Sequence, residues 1–441
     1  MADSFFIRIF AAAMTESGSL RVLIVNTSER TGGAAVAAHR LMEALNNNGV
    51  KVRMLVRDKE TDNPMVCALR HSKGFDWRFL WERLVIWCHL GLRRKRLFEA
   101  DIANAGYDIT KLREFQEADV IHLHWINQGM LSLSTLRKIV ASGKTVVWTM
   151  HDLWPAVAIC HYARGCERYL TACSHCPLLP QVSPFDLAAR VWRRKQRVLA
   201  AGHVTFVACS QWLAGEARRS ALLQGQQILS IPNAIDTRQF APRDRQQARQ
   251  QLGLPADKRV ILFVSQRVTD ERKGIAYFVE ALRQLVATRP EICQNTVVAV
   301  LGGHSEEVVR QLPLAAYPLG YVSDPQRIVS VYNAADIFVL PSLEDNLPNT
   351  IMEAMACGVP CVGFHVGGIP EMIDHQRTGY VARFRDAADL AAGIRYVLDE
   401  ADYAALSQTC LHKVAHDYSQ QSVAKRYLEV YESHLHHHHH V

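Results

Sequence analysis

The sequence predicts an α/β protein built from two doubly wound domains, and three observations carry that expectation: its length, a recurring short-strand pattern, and the restart of that pattern midway. The 441 residues exceed what one hydrophobic core organises. With 49% hydrophobic and 21% charged residues, the composition is that of a globular enzyme rather than a disordered or fibrous chain. Apolar, β-branched runs recur between helical stretches at 20–26 (LRVLIVN), 51–56 (KVRMLV), 118–125 (ADVIHLHW), 144–150 (KTVVWTM) and 204–210 (VTFVACS). Buried-type strands alternating with helices signal a parallel sheet.

The pattern restarts after Asp236 with 259–266 (RVILFVSQ), 296–303 (TVVAVLGG), 335–342 (ADIFVLPS) and 360–364 (PCVGF). The expected organisation is a leader at 1–19 without fixed structure, a first domain at 20–236, a second at 237–416, and a C-terminal helix with a His-rich tail at 417–441. In the leader, Asp3 and Arg8 interrupt the apolar run and argue against a signal peptide. No stretch reaches the length of a membrane span. The chain is therefore expected in the cytoplasm, where eleven cysteines mean thiols or metal ligands more often than disulfides. Fifty Lys+Arg against 43 Asp+Glu leave a net charge of +7, which suits phosphate-bearing ligands or an anionic membrane surface and does not mark a nucleic-acid binder.

Doubly wound domains direct the carboxyl ends of their strands toward an interdomain cleft, so candidate site residues are those just after strands. After the first strand, Gly32 and Gly33 precede an amphipathic helix, and adjacent glycines let backbone N–H groups approach a phosphate or sugar. A plain strand-to-helix turn reads equally well. After 259–266, Arg267 and Lys273 present two cations suited to a diphosphate. After 335–342 a polar loop carries Glu344, Asp345, Asn346 and Leu347, and a helix starting near Pro348 or Asn349 carries Glu353. Carboxylates accept directed hydrogen bonds from vicinal hydroxyls, although Asp345 could equally cap the helix and Glu353 compensate its dipole. After 144–150, His151 could orient an acceptor or stabilise charge, with Asp152 fixing its tautomer or capping the next segment.

The segment Pro341–Pro360, with two acids separated by seven positions before Ala354-Met355-Ala356-Cys357-Gly358-Val359-Pro360, resembles the donor-binding signature of retaining family 4 glycosyltransferases. That resemblance implies the GT-B fold, two Rossmann-like domains facing across a cleft, with the first domain on the acceptor side. It implies that Glu353 holds the ribose, that Asp345 with the backbone at Asn346 and Leu347 holds the sugar, and that Arg267 and Lys273 bind the diphosphate of a UDP- or GDP-linked donor. Here Asp345 stands where the family usually has Glu, which leaves Asp345 and Glu344 as alternatives for the sugar contact. Gly32 and Gly33 match the family's glycine loop, and Thr149-Met150-His151-Asp152 its Thr-x-His-Asp motif, whose histidine lies against the donor sugar. The family transfers with retention, the leaving diphosphate taking the acceptor proton. No Asp-x-Asp pair occurs, so a catalytic metal bridge and a catalytic cofactor are not expected.

Cys160, Cys166, Cys173 and Cys176 follow the His-Asp motif, the last two in C-x2-C spacing. Structural zinc and reduced thiols are both open readings. A similar cysteine-rich insertion occurs in the capsular and colanic-acid branch of the family, which implies a glycan or lipid-linked acceptor in cell-surface polysaccharide synthesis. Two stretches, 77–98 and 189–197, mix aromatics with cations. They read either as helices lying peripherally on the anionic inner face of the cell membrane or as helices with a buried apolar face and solvated cations. The competing functions are a nucleotide-sugar 2-epimerase, for which the cysteine loop would be idle, and a catalytically silent sugar-nucleotide-binding subunit.

Overall fold

The computed structural model describes residues 20–70 and 74–438. The expected leader at 1–19 and the end of the His-rich tail lie outside them. The chain divides into two compact units: one formed by the chain up to Cys209, Ala214–Ile231 and the chain from Ala424 on, the other by Ser210–Leu213 and Pro232–Val423.

The first unit is built on seven strands: β1 (Arg21–Val25), β2 (Lys51–Asp58), β3 (Val66–Arg70), β4 (Val120–Leu123), β5 (Thr145–Met150), β6 (Thr205–Ala208) and β7 (Gln227–Ser230). They lie in the order β3-β2-β1-β4-β5-β6-β7, every pairing parallel. The four central strands β1, β4, β5 and β6 are buried almost throughout, as strands covered by helices on both faces must be. The helix Gln420–His438 contributes to this unit from Ala424 on, burying Tyr427 and Tyr431.

The second unit has six strands: β8 (Arg259–Arg267), β9 (Thr296–Gly303), β10 (Ala316–Gly320), β11 (Ile337–Leu340), β12 (Cys361–Phe364) and β13 (Gly379–Ala382). Their order is β10-β9-β8-β11-β12-β13, again all parallel. Phe263, Phe278, Val298, Val339 and Phe364 lie in its core.

In both sheets the order reverses beside the first strand, between β1 and β4 and between β8 and β11. The helices leaving those neighbours go to opposite faces, which opens a crevice at the strands' carboxyl ends where ligands settle. Four strands that the alternation of apolar runs does not reveal, β3, β7, β10 and β13, are the four sheet edges. Each is only partly buried, unlike the central strands.

Candidate active site

In the second unit the crevice between β8 and β11 gathers the expected donor-side residues. Arg267 closes β8 with its side chain exposed, and its Nε donates to Thr269 Oγ1 at 3.1 Å. A short 3-10 turn, Glu271–Lys273, follows, with the Arg272 N–H donating to the Asp270 carboxylate. Gly274 then adopts φ 75°, and a Cβ there would lie 1.8 Å from the Pro341 carbonyl oxygen. Only glycine fits this approach, which brings the turn against the end of β11.

Arg272, a residue the sequence reading passed over, holds the acidic loop. Its carbonyl accepts the Leu343 N–H at 2.8 Å, and its guanidinium donates to the Glu344 carbonyl at 3.1 Å. Lys273 Nζ donates to Asp345 Oδ2 at 2.7 Å, and Ser342 Oγ to the same oxygen at 3.1 Å. Burial alone would raise the Asp345 pKa, but Lys273 and Arg272 more than offset it and hold the carboxyl below its ordinary range. On the other side of the loop, a Cβ on Gly367 would come within 1.8 Å of the Asp345 carbonyl.

The helix Asn349–Ala356 starts at Pro348 with no side-chain cap, so Asp345 is not its capping residue. Glu353 is buried on that helix, and the Tyr332 hydroxyl donates to its Oε1 at 3.1 Å. Asn346 and Leu347 are buried in the loop between Asp345 and the helix. Asp345 engages Lys273 through its side chain.

In the first unit, Gly32 at φ 93° opens the helix Gly33–Asn47, and no side chain occupies its cap. A Cβ on Gly32 would meet nothing within 4 Å, so the space there is open. The first-turn N–H groups of a helix are a site for an anion or a polar oxygen.

His151 follows β5, beside two histidines of β4 and its end that the sequence reading missed. His124 Nδ1 lies 2.8 Å from His151 Nε2, and Cys209 Sγ lies 3.6 Å from His151 Nδ1. His122 bridges Tyr431 Oη and Thr149 Oγ1, each at 2.7 Å, and Thr149 reaches Tyr427 Oη at 2.9 Å. Burial depresses all three imidazoles, His122 to about 3, His151 to about 4, and His124 well below its usual value. Each is neutral near pH 7, so the His124–His151 contact is a hydrogen bond between two neutral rings, with one N–H shared between them.

Asp152 was expected to fix the tautomer of His151 or to cap the next segment, and one of its hydrogen bonds goes to the backbone of that segment. Its carboxylate accepts the Trp154 N–H at 3.0 Å, opening the 3-10 turn Trp154–Ala156, and Trp125 Nε1 at 3.1 Å. It also pairs with His161 Nδ1 at 2.7 Å. His151 has its ring nitrogens toward His124 and Cys209, and Asp152 acts on it through charge, against the larger effect of burial. Burial would also lower His161, but Asp152 on one side and Asp101 on the other raise it to about 10, so it is a cation between two carboxylates. Asp101 continues the chain of charges to Arg83, which pairs with Glu82.

Cys160, Cys166, Cys173 and Cys176 line one small apolar cavity with Val157, Ile159 and Tyr169. All four are free thiols. Burial raises the Cys160 pKa, with the other three thiols adding to it, pushes Cys173 up to about 12, and raises Cys176. Among the described residues no three His, Cys, Asp or Glu side chains are grouped to hold a metal ion.

Two doubly wound parallel sheets, with polar residues at the reversal of strand order, are the fold this chain shares with GT-B glycosyltransferases. Residues 31–239 match the family described as Glycosyltransferase Family 4, and residues 258–400 match that described as Glycosyl transferases group 1. Among curated proteins it is similar to D-inositol 3-phosphate glycosyltransferase 2 of Catenulispora acidiphila, 32% identical over 184 residues, covering 39% of this chain and 42% of that one. It is also similar to N-acetyl-alpha-D-glucosaminyl L-malate synthase of Bacillus anthracis, 27% identical over 213 residues, 46% of this chain and 53% of that one. The chain thus spans about half the length of the curated relatives it matches. Neither is named for the capsular or colanic-acid branch. Among solved structures, Anabaena HepE in complex with UDP and glucose matches in fold at a TM-score of 0.61, with 16% identity over 94% of this chain and all of that one.

Proposed function

We propose that the protein is a retaining glycosyltransferase that moves a sugar from a nucleoside diphosphate donor to a glycan or lipid-linked acceptor in cell-surface polysaccharide synthesis. The observation that carries this reading is the crevice at β8 and β11, where Arg267, Lys273, Asp345 and Glu353 come from separate segments to the same sheet reversal. A cationic pair meets the diphosphate, and a buried carboxylate on a helix meets the ribose hydroxyls. Asp345, with the backbone of Asn346 and Leu347, holds the sugar.

The bond from the anomeric carbon to the diphosphate oxygen breaks while the acceptor oxygen bonds that carbon on the same face. The acceptor proton passes to the departing diphosphate. Arg267 and Lys273 stabilise the charge that develops there, so no protein nucleophile is needed. The first unit handles the acceptor, with the neutral His151 as a hydrogen-bonding group and the Gly32–Gly33 turn as a site for a polar oxygen.

The test supplies UDP- and GDP-sugars with a lipid-linked sugar, D-inositol 3-phosphate or L-malate, the last two taken from the relatives' names. Nucleoside diphosphate release is followed, and product anomers are assigned by NMR. Release that requires the lipid-linked sugar, with retained configuration, is expected. Turnover only on one of the small acceptors would replace the polysaccharide reading. Donor epimerised without acceptor would overturn transfer, and absence of donor binding would leave a silent subunit.

A further inference from the structure

The helix Trp77–His89 is inside out. Its buried residues are Glu82, Arg83 and Ile86, the first two at 0% and 5% exposure. Four of its large apolar residues point to solvent: Trp77 at 55%, Leu80 at 41%, Trp81 at 50% and Leu84 at 46% exposure. Positions 77, 80, 81 and 84 repeat at i, i+3, i+4 and i+7, so they form one stripe on one side of the helix. An amphipathic helix in a soluble fold turns such a stripe inward. Here the inward side is taken by charge, because Glu82 accepts the N–H groups of Ile102 and Ala103 at 2.9 and 2.7 Å while Arg83 bridges Glu82 and Asp101. These buried ionic bonds fix the helix's rotation and keep the aromatic stripe outside.

Cations gather at the C-terminal end of the stripe's helix. Arg93, Arg94, Lys95 and Arg96 follow the helix directly and are all exposed. Arg190, on the helix Leu187–Leu199, reaches His89 at the stripe helix's end, Nη2 to Nε2 at 3.0 Å. That second helix is oriented conventionally, with Val191 and Trp192 buried and Arg193, Arg194 and Arg197 exposed. Beside it Phe185 is exposed, with the Arg193 guanidinium 5.6 Å from its ring. Of the two basic aromatic stretches, only the first leaves its apolar stripe uncovered.

We infer that this stripe and the cations at its end are a membrane-docking surface that lays the first unit on an anionic bilayer. Tryptophan and leucine enter the headgroup–acyl boundary, while the arginines and Lys95 meet lipid phosphates. The occupant is an anionic lipid surface rather than a protein groove because the apolar stripe is one helix wide and the segment after it exposes four consecutive cations, of which Arg96 is paired with Glu99. The inference stands independently of the transfer reaction, since it concerns where the chain sits and not what it does to a sugar.

The experiment is flotation of the full chain with phosphatidylcholine vesicles, alone or mixed with an equal share of phosphatidylglycerol. Binding is expected only to the mixed vesicles, with brominated acyl chains quenching tryptophan fluorescence. W81E/L84E, and separately R93E/R94E/K95E, should each weaken binding by about ten-fold or more while the thermal melt stays cooperative. The second variant touches only exposed cations, so it reports on docking even if the first folds poorly. Equal binding to both vesicles, no binding to either, or unchanged binding in R93E/R94E/K95E would overturn the inference. A dimer in sedimentation that W81E/L84E disperses would assign the stripe to a second copy of the chain instead.

Discussion

Lys273 Nζ donates to Asp345 Oδ2 over 2.7 Å, so the cation assigned to the diphosphate and the carboxylate assigned to the sugar hold each other. The pair comes from two loops 72 residues apart, at the ends of β8 and β11. Ser342 and the backbone against Gly274 fix the two loops together. A donor binding there finds both groups already oriented.

Lys273→Ala removes the cation and leaves Asp345 buried without its charge partner. Diphosphate affinity should fall about ten-fold or more, and the fold should lose about 3 kcal/mol. Asp345→Asn, by contrast, leaves Lys273 free to meet phosphate, so UDP or GDP should bind as well as before while transfer slows. Calorimetry with the nucleotide and a denaturant titration separate the two effects. Equal loss of nucleotide binding in both variants would show that the pair acts only as a structural clamp. Because the Asp345 pKa is lowered on folding, its stabilisation is complete above the ordinary carboxylate value and is lost as pH falls through the folded one.

Glu353 is expected to read the ribose hydroxyls, and Tyr332 holds its carboxylate. Wild type should therefore bind UDP or GDP better than the matching 2′,3′-dideoxy nucleotide, and Glu353→Gln should narrow that difference by about ten-fold. Tyr332→Phe should reduce the same discrimination partially and cost about 1 kcal/mol of stability. Discrimination unchanged in Glu353→Gln would remove it from the ribose.

His151→Ala should spare nucleotide binding and slow transfer. His151 and His122 titrate at about 4 and 3 in the fold, so the rate should show no His151-dependent limb between pH 6 and 9. A rate limb that moves in a His124→Asn variant would contradict the neutral pair.

The buried histidines act on stability with opposite signs. His122 and His151 have lowered folded pKa values, so they leave stability untouched above the unfolded value and reduce it as pH falls from about 6.5 toward about 4. His161 is raised to about 10, so its contribution is complete below about 6.5 and fades as pH rises through about 10. Urea midpoints at pH 5, 7 and 9 should show a flatter acid side in His122→Gln and a flatter alkaline side in His161→Asn. The reverse assignment would refute these ionisation states.

Iodoacetamide at pH 8 should label the exposed Cys88 and Cys293 first, and Cys160, Cys173 and Cys176 only after unfolding, because burial keeps those three thiols protonated. Mass spectrometry of the labelled peptides checks the order. Early labelling of Cys173 would mean that the loop opens in the native state.

The sequence by itself determined the central strands and the residues at their ends. Buried parallel strands are continuous apolar runs, and β9 is legible to the residue at Thr296–Gly303. The signature around Asp345 and Glu353 was legible too, because its chemistry lies in one short segment. The edge strands β3, β7, β10 and β13 were not, since a strand with one free side needs no continuous apolar pattern. Tertiary structure alone decided the partners. His122 and Tyr431 stand 309 positions apart, and Arg272 reads as one more surface cation until its loop is folded. The His-x-His alternation at 122–124 was the one local sign of the histidine cluster, and it gives no hint that His151 lies beside it. The helix Trp77–His89 shows the limit most plainly. Its sequence specifies an apolar stripe, but which way the stripe faces was settled by Glu82 and Arg83 finding buried partners around Asp101 and Ile102.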